Sequence, residues 1–106
     1  MTDYPPRYLI LSKEAAADAP FKIIGNDLWL EYADVFVTSN SGALTDRGNV
    51  STAAIYANDV YTFPYPVNIF EVFFKNLTAG LNCVVTIVGT TLTRKKAAEY
   101  GISLPD

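Results

Sequence analysis

Short apolar runs separated by turn-forming residues make up most of this chain. Tyr8–Leu11 is predicted to be a strand, preceded by an extended arm, because a residue before proline is disfavoured in helix. Phe21–Tyr32 predicts a hairpin in which Gly25 and Asn26 supply the positive φ of a tight turn. Asp34–Thr38 follows as a further strand.

The second half of the chain continues this pattern. Val50–Phe63 predicts one or two strands, broken around Asn58–Asp59. Val67–Asn76 and Cys83–Leu92 predict a final hairpin, joined by a turn over residues 77–82.

Successive side chains of a strand point to opposite faces of the sheet, so alternation assigns the faces. In the second arm of the first hairpin, Leu28, Leu30 and Tyr32 should share a core face, while Asp27, Trp29 and Glu31 share the other. Trp29 is therefore expected to point outward.

The strand over Val67–Asn76 is apolar on both faces. One face carries Phe70, Val72 and Phe74, and the other carries Ile69, Glu71, Phe73 and Lys75. The second face either lies under another segment of this chain or meets another subunit, with Glu71 and Lys75 at a polar rim. The second reading is preferred, and the predicted interface residues are Ile69, Phe73, Val84, Val88 and Trp29.

Two short helical segments are predicted. Residues 12–19 have Ser12 as a helix N-cap and end before Pro20, although a loop is an alternative for so short a run. Residues 93–100 form the other segment, with Gly101 at the position after the C-cap.

These elements predict an all-β fold, an antiparallel β-sandwich or small barrel of about seven short strands. At 106 residues the chain fits a single domain, with residues 1–7 as an N-terminal arm and residues 93–106 as a C-terminal helix and tail.

Charge removes several partners from consideration. The net charge is −3 and the isoelectric point is near 4.7, whereas a nucleic-acid or anionic-membrane surface needs clustered Lys and Arg. The first residues lack the pattern of a signal peptide, and the apolar runs are too short to span a bilayer.

The residue inventory argues against an enzyme. The sequence has no histidine, and its single cysteine, Cys83, reads as a buried strand thiol. No phosphate-binding glycine motif is present. Glu31 and Glu71 are the two carboxylates placed within strands, and nothing in the sequence pairs them for acid–base catalysis. No catalytic residue, metal or cofactor is predicted.

Exposed aromatic residues leave carbohydrate binding as the alternative. Sugars stack on aromatic rings, and the candidate platform consists of Trp29, Tyr56, Tyr61 and Tyr65. The competing interpretation of Trp29 is a buried or interfacial side chain.

From Asp34 onward the order of features follows a known pattern. "DVFVTSNSGALTD", "YANDVYTFPYPVNIFEVFFKN" and "LTAGLNCVVTIVGT" place strands and turns at Val35–Thr38, Asn58–Thr62, Asn68–Lys75, Gly80 and Val84–Gly89. This order resembles the small β-sandwich virion proteins of tailed bacteriophages. The resemblance implies a capsid-decoration, head-fibre-base or tail-adaptor role, all of which depend on oligomers. The N-terminal third and the C-terminal tail depart from the pattern.

We therefore expect a structural virion protein, made in the host cytoplasm, whose partners are other copies of itself or the major capsid or tail proteins. The alternative is a carbohydrate-binding or receptor-binding module.

Overall fold

A computed structural model describes residues 5–15, 21–39, 43–47, 52–57, 59–76 and 83–104 of this chain. Within these ranges the strands are β1 Tyr8–Ala15, β2 Trp29–Ser39, β3 Ala43–Arg47, β4 Thr52–Ile55, β5 Val60–Thr62, β6 Val67–Asn68, β7 Val72–Asn76 and β8 Cys83–Thr91. A single turn of 3-10 helix spans Ile69–Glu71, and the helix α1 spans Arg94–Tyr100.

The described strands form two antiparallel sheets. We call the larger one sheet A; its order is β1-β8-β2-β5, and β6 also pairs with β2. Sheet B has the order β4-β3-β7. The all-β antiparallel class is confirmed, while the sandwich or barrel arrangement stays a prediction.

One hydrophobic cluster joins the two sheets. Sheet A contributes Leu30, Ala33, Val35, Val37, Val67, Cys83, Val85 and Ile87, and sheet B contributes Ile55, Val72 and Phe74. Phe63 and Ile69, which lie between strands, complete the cluster. These side chains are at most 2% exposed, so their burial supplies the hydrophobic stabilisation of the fold.

The predicted helix over residues 12–19 is wrong for residues 12–15; residues 16–19 lie outside the described ranges. β1 continues through Ala15 because its backbone pairs with β8 without a break, from Tyr8 opposite Thr90 to Ala15 opposite Cys83. Tertiary pairing therefore overrides the local capping signal of Ser12.

The predicted hairpin over Phe21–Tyr32 is also wrong. Phe21 pairs with Phe74 of sheet B instead, through backbone hydrogen bonds of 2.8 Å and 2.9 Å. The second arm and the strand at Asp34–Thr38 are one strand, β2, with a bulge between Leu30 and Tyr32. Because a bulge inserts one extra residue, Tyr32 moves from the predicted core face to the exposed side.

The final hairpin is wrong as well, because β7 pairs with β3 and β8 pairs with β1 and β2. The 3-10 turn divides the predicted strand over Val67–Asn76, so that β6 lies in sheet A and β7 in sheet B. The connecting residues 77–82 lie outside the described ranges.

The C-terminal helix is confirmed. Thr93 is its N-cap and accepts a hydrogen bond from the Lys96 backbone N–H at 3.2 Å. Gly101 ends the helix in the left-handed conformation with φ of 73°. Two separate strands, β4 and β5, confirm the predicted break between residues 50 and 63.

Candidate interaction surface

One face of sheet A contributes no residue to the hydrophobic core cluster. We call it the open face. Its residues alternate with core residues along each strand: Tyr8, Ile10, Ser12 and Glu14 on β1; Val84, Thr86, Val88 and Thr90 on β8; Tyr32, Asp34, Phe36 and Thr38 on β2; and Val60 and Thr62 on β5. Cross-strand partners in an antiparallel sheet lie on the same face, so this register defines the surface.

Large apolar side chains on this face are exposed. The exposed fractions are 69% for Tyr8, 64% for Ile10, 62% for Val60 and 52% for Tyr32. Phe36 and Val88 lie between them, Val84 lies beside Glu14, and all three are half-buried. Several large apolar side chains exposed together on one face typically mark an interaction site.

Several polar side chains on the open face hydrogen-bond to one another. The Tyr32 hydroxyl donates to Asp34 Oδ2 at 3.0 Å, and the Thr62 hydroxyl donates to Asp34 Oδ1 at 2.6 Å. The hydrogen bond to Asp34 and the charge of that carboxylate raise the pKa of Tyr32. Ser12 and Thr86 share a hydrogen bond of 2.9 Å. Both Asp34 oxygens therefore have partners within the face.

Two of the predicted interface residues, Val84 and Val88, lie on the open face on β8, Val88 near its centre and Val84 beside Glu14 at one end. Ile69 does not, and its assignment to an interface is wrong. The 3-10 turn directs this residue into the core, where it is 0% exposed and no partner can reach it.

Phe73 and Trp29 lie elsewhere. Phe73 is a half-buried residue of β7 in sheet B, and the Lys22 ammonium lies 4.8 Å from its ring centroid and 3.8 Å from that of Phe70. Trp29 is half-buried at the first position of β2, where it pairs with Asn68. Glu71, the predicted rim charge, is exposed in the 3-10 turn.

The predicted carbohydrate platform is not formed as a unit. Trp29 pairs with Asn68, whereas Tyr61 pairs with Val35, six positions further along β2 and roughly 20 Å away. Tyr61 packs edge-on against Phe63, with ring centroids 5.1 Å apart, at the margin of the core. Tyr56 and Tyr65 are exposed but lie outside the strands.

Sequence reasoning missed Tyr8, Ile10, Tyr32, Phe36 and Val60 as surface residues. A signal was present in two of the strands, because "YLIL" and "VFV" are apolar at every position and so supply both faces of a sheet. Tyr32 was missed because the bulge before it changes the face to which it points.

Potential reactive groups are few in the described part of the chain. Cys83 is a buried free thiol, as the sequence predicts, and burial raises its pKa and so disfavours the thiolate. No group of three or more His, Cys, Asp or Glu residues among the described positions could hold a metal ion.

The only described α-helix, α1, has seven residues, and no helix in these ranges could cross a membrane.

Comparisons with protein-family models, with curated proteins and with solved structures found no match to this chain.

Proposed function

We propose that this protein is a non-enzymatic structural component of a bacteriophage virion that assembles with copies of itself through the open face of sheet A. The observation that carries the proposal is the exposure of Tyr8, Ile10, Tyr32 and Val60 around Val88. The virion role rests in addition on the resemblance of the sequence from Asp34 to Gly89 to the small β-sandwich virion proteins of tailed bacteriophages.

The area of the open face suits a protein interface. Tyr8, Ile10, Tyr32 and Val60 together expose on the order of 500 Å². The remaining residues of the face bring it toward the roughly 800 Å² that each partner contributes to a standard interface.

A second copy is a fitting occupant for this face. Sheets pack face to face through apolar side chains, about 10 Å apart, and a two-fold axis lets the same patch serve both partners. The charged residues on the face are Glu14 at one end and Asp34, whose oxygens both accept hydrogen bonds. Such a face has few charges to desolvate when it is covered.

A residue at the centre of the face tests this assembly. Val88→Lys places an ammonium beside Asp34. In a free subunit this ammonium is exposed to solvent and lies near a carboxylate, but it becomes buried when two open faces meet. We expect the dissociation constant to rise at least about 100-fold, as measured by sedimentation velocity. Ala54→Lys adds the same charge at an exposed position of sheet B and should leave association unchanged. A wild-type chain that is monomeric at about 100 μM would overturn self-association.

The virion role has its own test. Genes for capsid, portal or tail proteins beside the gene of this protein would support it, whereas a metabolic operon would contradict it.

A further inference from the structure

We propose that the free edge of β1 pairs with β1 of a second copy, antiparallel across a two-fold axis, and joins two copies of sheet A into one continuous sheet. This inference rests on the proposed self-assembly but uses a second surface, the backbone edge rather than the open face.

β1 is the terminal strand of sheet A, and its other edge pairs with β8 over all eight residues without a register shift. The Thr91 N–H donates to the Arg7 carbonyl oxygen at 2.9 Å, which fixes the alternation of hydrogen bonds. Odd-numbered residues of β1 therefore bond to β8. The N–H and C=O groups of Tyr8, Ile10, Ser12 and Glu14 point away from the sheet.

The other described sheet edges are short or covered. β5 has three residues and β4 has four. The edge of β7 is covered at Phe74, which exchanges two backbone hydrogen bonds with Phe21. An eight-residue free edge is therefore peculiar to β1 among the described strands, and the strand that matches its length is another β1.

The usual protection of an edge strand is weak here. Proteins block such edges with proline, bulges or outward-pointing lysine. Pro5 and Pro6 precede β1, and no bulge interrupts it. Lys13 is held on its own subunit, because its Nζ donates to the Lys22 carbonyl oxygen at 3.1 Å and lies 5.9 Å from the Phe21 ring centroid.

Symmetry and the number of paired residues together select the register, because an axis on Leu11 pairs all four outward-pointing residues from Tyr8 to Glu14. Opposed residues must belong to the same face, and centring the axis on Leu11 places Leu11 opposite its symmetry mate and Ile10 opposite Ser12 of the partner. About eight backbone hydrogen bonds then form between the two copies of residues 8–14. The charges of Lys13 and Glu14 lie at the two ends of the pair, away from their mates.

The two-fold axis stands perpendicular to the sheet, so both open faces lie on the same side. Edge pairing thereby forms one open face of double width. Two such dimers that meet through their open faces make a tetramer, with a mass of about four times 11.6 kDa for the wild-type chain.

The first test separates the two surfaces. In the Val88→Lys background the open face is disabled, and we expect a dimer of about twice 11.6 kDa by light scattering. Adding Ser12→Pro removes an outward N–H from the edge and should give a monomer, with a dimer dissociation constant at least about 100-fold higher. Ser12→Ala is the control, because it loses the same Thr86 hydrogen bond but keeps the backbone N–H.

The outcomes are distinguishable. If the Val88→Lys protein is a monomer while the wild type is an oligomer, the edge pairing is overturned and the open face remains the assembly surface. If the Val88→Lys protein keeps the oligomeric mass of the wild type and Ser12→Pro then converts it to a monomer, the open face is not an assembly surface and the edge pairing is supported.

Amide hydrogen exchange of the wild-type oligomer tests the edge without any substitution. The Ile10 and Ser12 amides should exchange at least about 100-fold more slowly at high than at low protein concentration. The Leu9 and Leu11 amides, bonded to β8, should be protected at both concentrations. Rapid exchange of the Ile10 and Ser12 amides in the oligomer would overturn the proposal.

Discussion

At the scale of single residues, Gly89 shows how closely two strands approach in sheet A. A Cβ atom at this position would overlap the backbone carbonyl oxygen of Tyr32 and lie 3.0 Å from Leu30 Cδ1. Gly89 pairs with Ala33, directly after the bulge of β2, so the bulge accounts for the close approach.

We therefore predict that Gly89→Ala lowers the free energy of unfolding by about 1–3 kcal/mol, because the added methyl group forces the backbone of β2 to move. Urea denaturation measures the loss. Gly25→Ala is the matched control, since a Cβ at Gly25 has nothing within 4 Å. Equal denaturation midpoints for the two variants would contradict this account of the bulge.

Single residues also show what alternation can predict. Val84 and Val88 lie on the surface side of β8 because an unbroken strand keeps its period of two, so their positions follow from the sequence. The positions of Tyr32 and Ile69 do not follow from it, because a bulge shifts the period just before Tyr32 and a 3-10 turn begins at Ile69. Neither irregularity is visible in hydrophobicity alone.

At the scale of elements, Asn68 marks the point where the chain leaves sheet A for sheet B. Its buried side chain accepts hydrogen bonds from the Leu28 N–H at 3.0 Å and the Phe70 N–H at 3.2 Å. Its Nδ2 donates to Asp27 Oδ1 at 2.9 Å. This amide thus holds the start of the 3-10 turn against the segment before β2.

Asn68→Ala should lower the free energy of unfolding by about 2–3 kcal/mol, because it leaves two backbone N–H groups without their acceptor. Chemical denaturation measures this loss in the free energy of unfolding. Asp27→Ala removes a single bond to the exposed end of this network and should cost less than about 1 kcal/mol. Equal losses from both substitutions would show that the network does not organise the turn.

The sequence predicts α1 and fails for the strand partners for one physical reason. Helix ends are set locally, here by Thr93 and Gly101, which lie within eight residues of each other. The partner of β7 is β3, and Phe21 pairs across 53 residues with Phe74. Such pairings depend on which faces the whole chain can bury, and no local pattern contains that information.

At the scale of the whole molecule, β1 contributes to both proposed contacts. The Ile10 side chain lies on the open face, whereas its backbone N–H points to the free edge. Oligomer formation should therefore increase the stability of β1, and with it that of sheet A, within each subunit.

This coupling gives a prediction about thermal unfolding. Because assembly stabilises only the folded chain, the Tm of the wild type should rise by about 3 °C for each tenfold increase in protein concentration. The variant carrying both Val88→Lys and Ser12→Pro disables both surfaces, so its Tm should not depend on concentration. Calorimetry over a hundredfold range of concentration measures both slopes. A wild-type Tm that stays constant over that range would mean that the folded chain gains no stability from its own copies, and neither surface would then serve self-assembly.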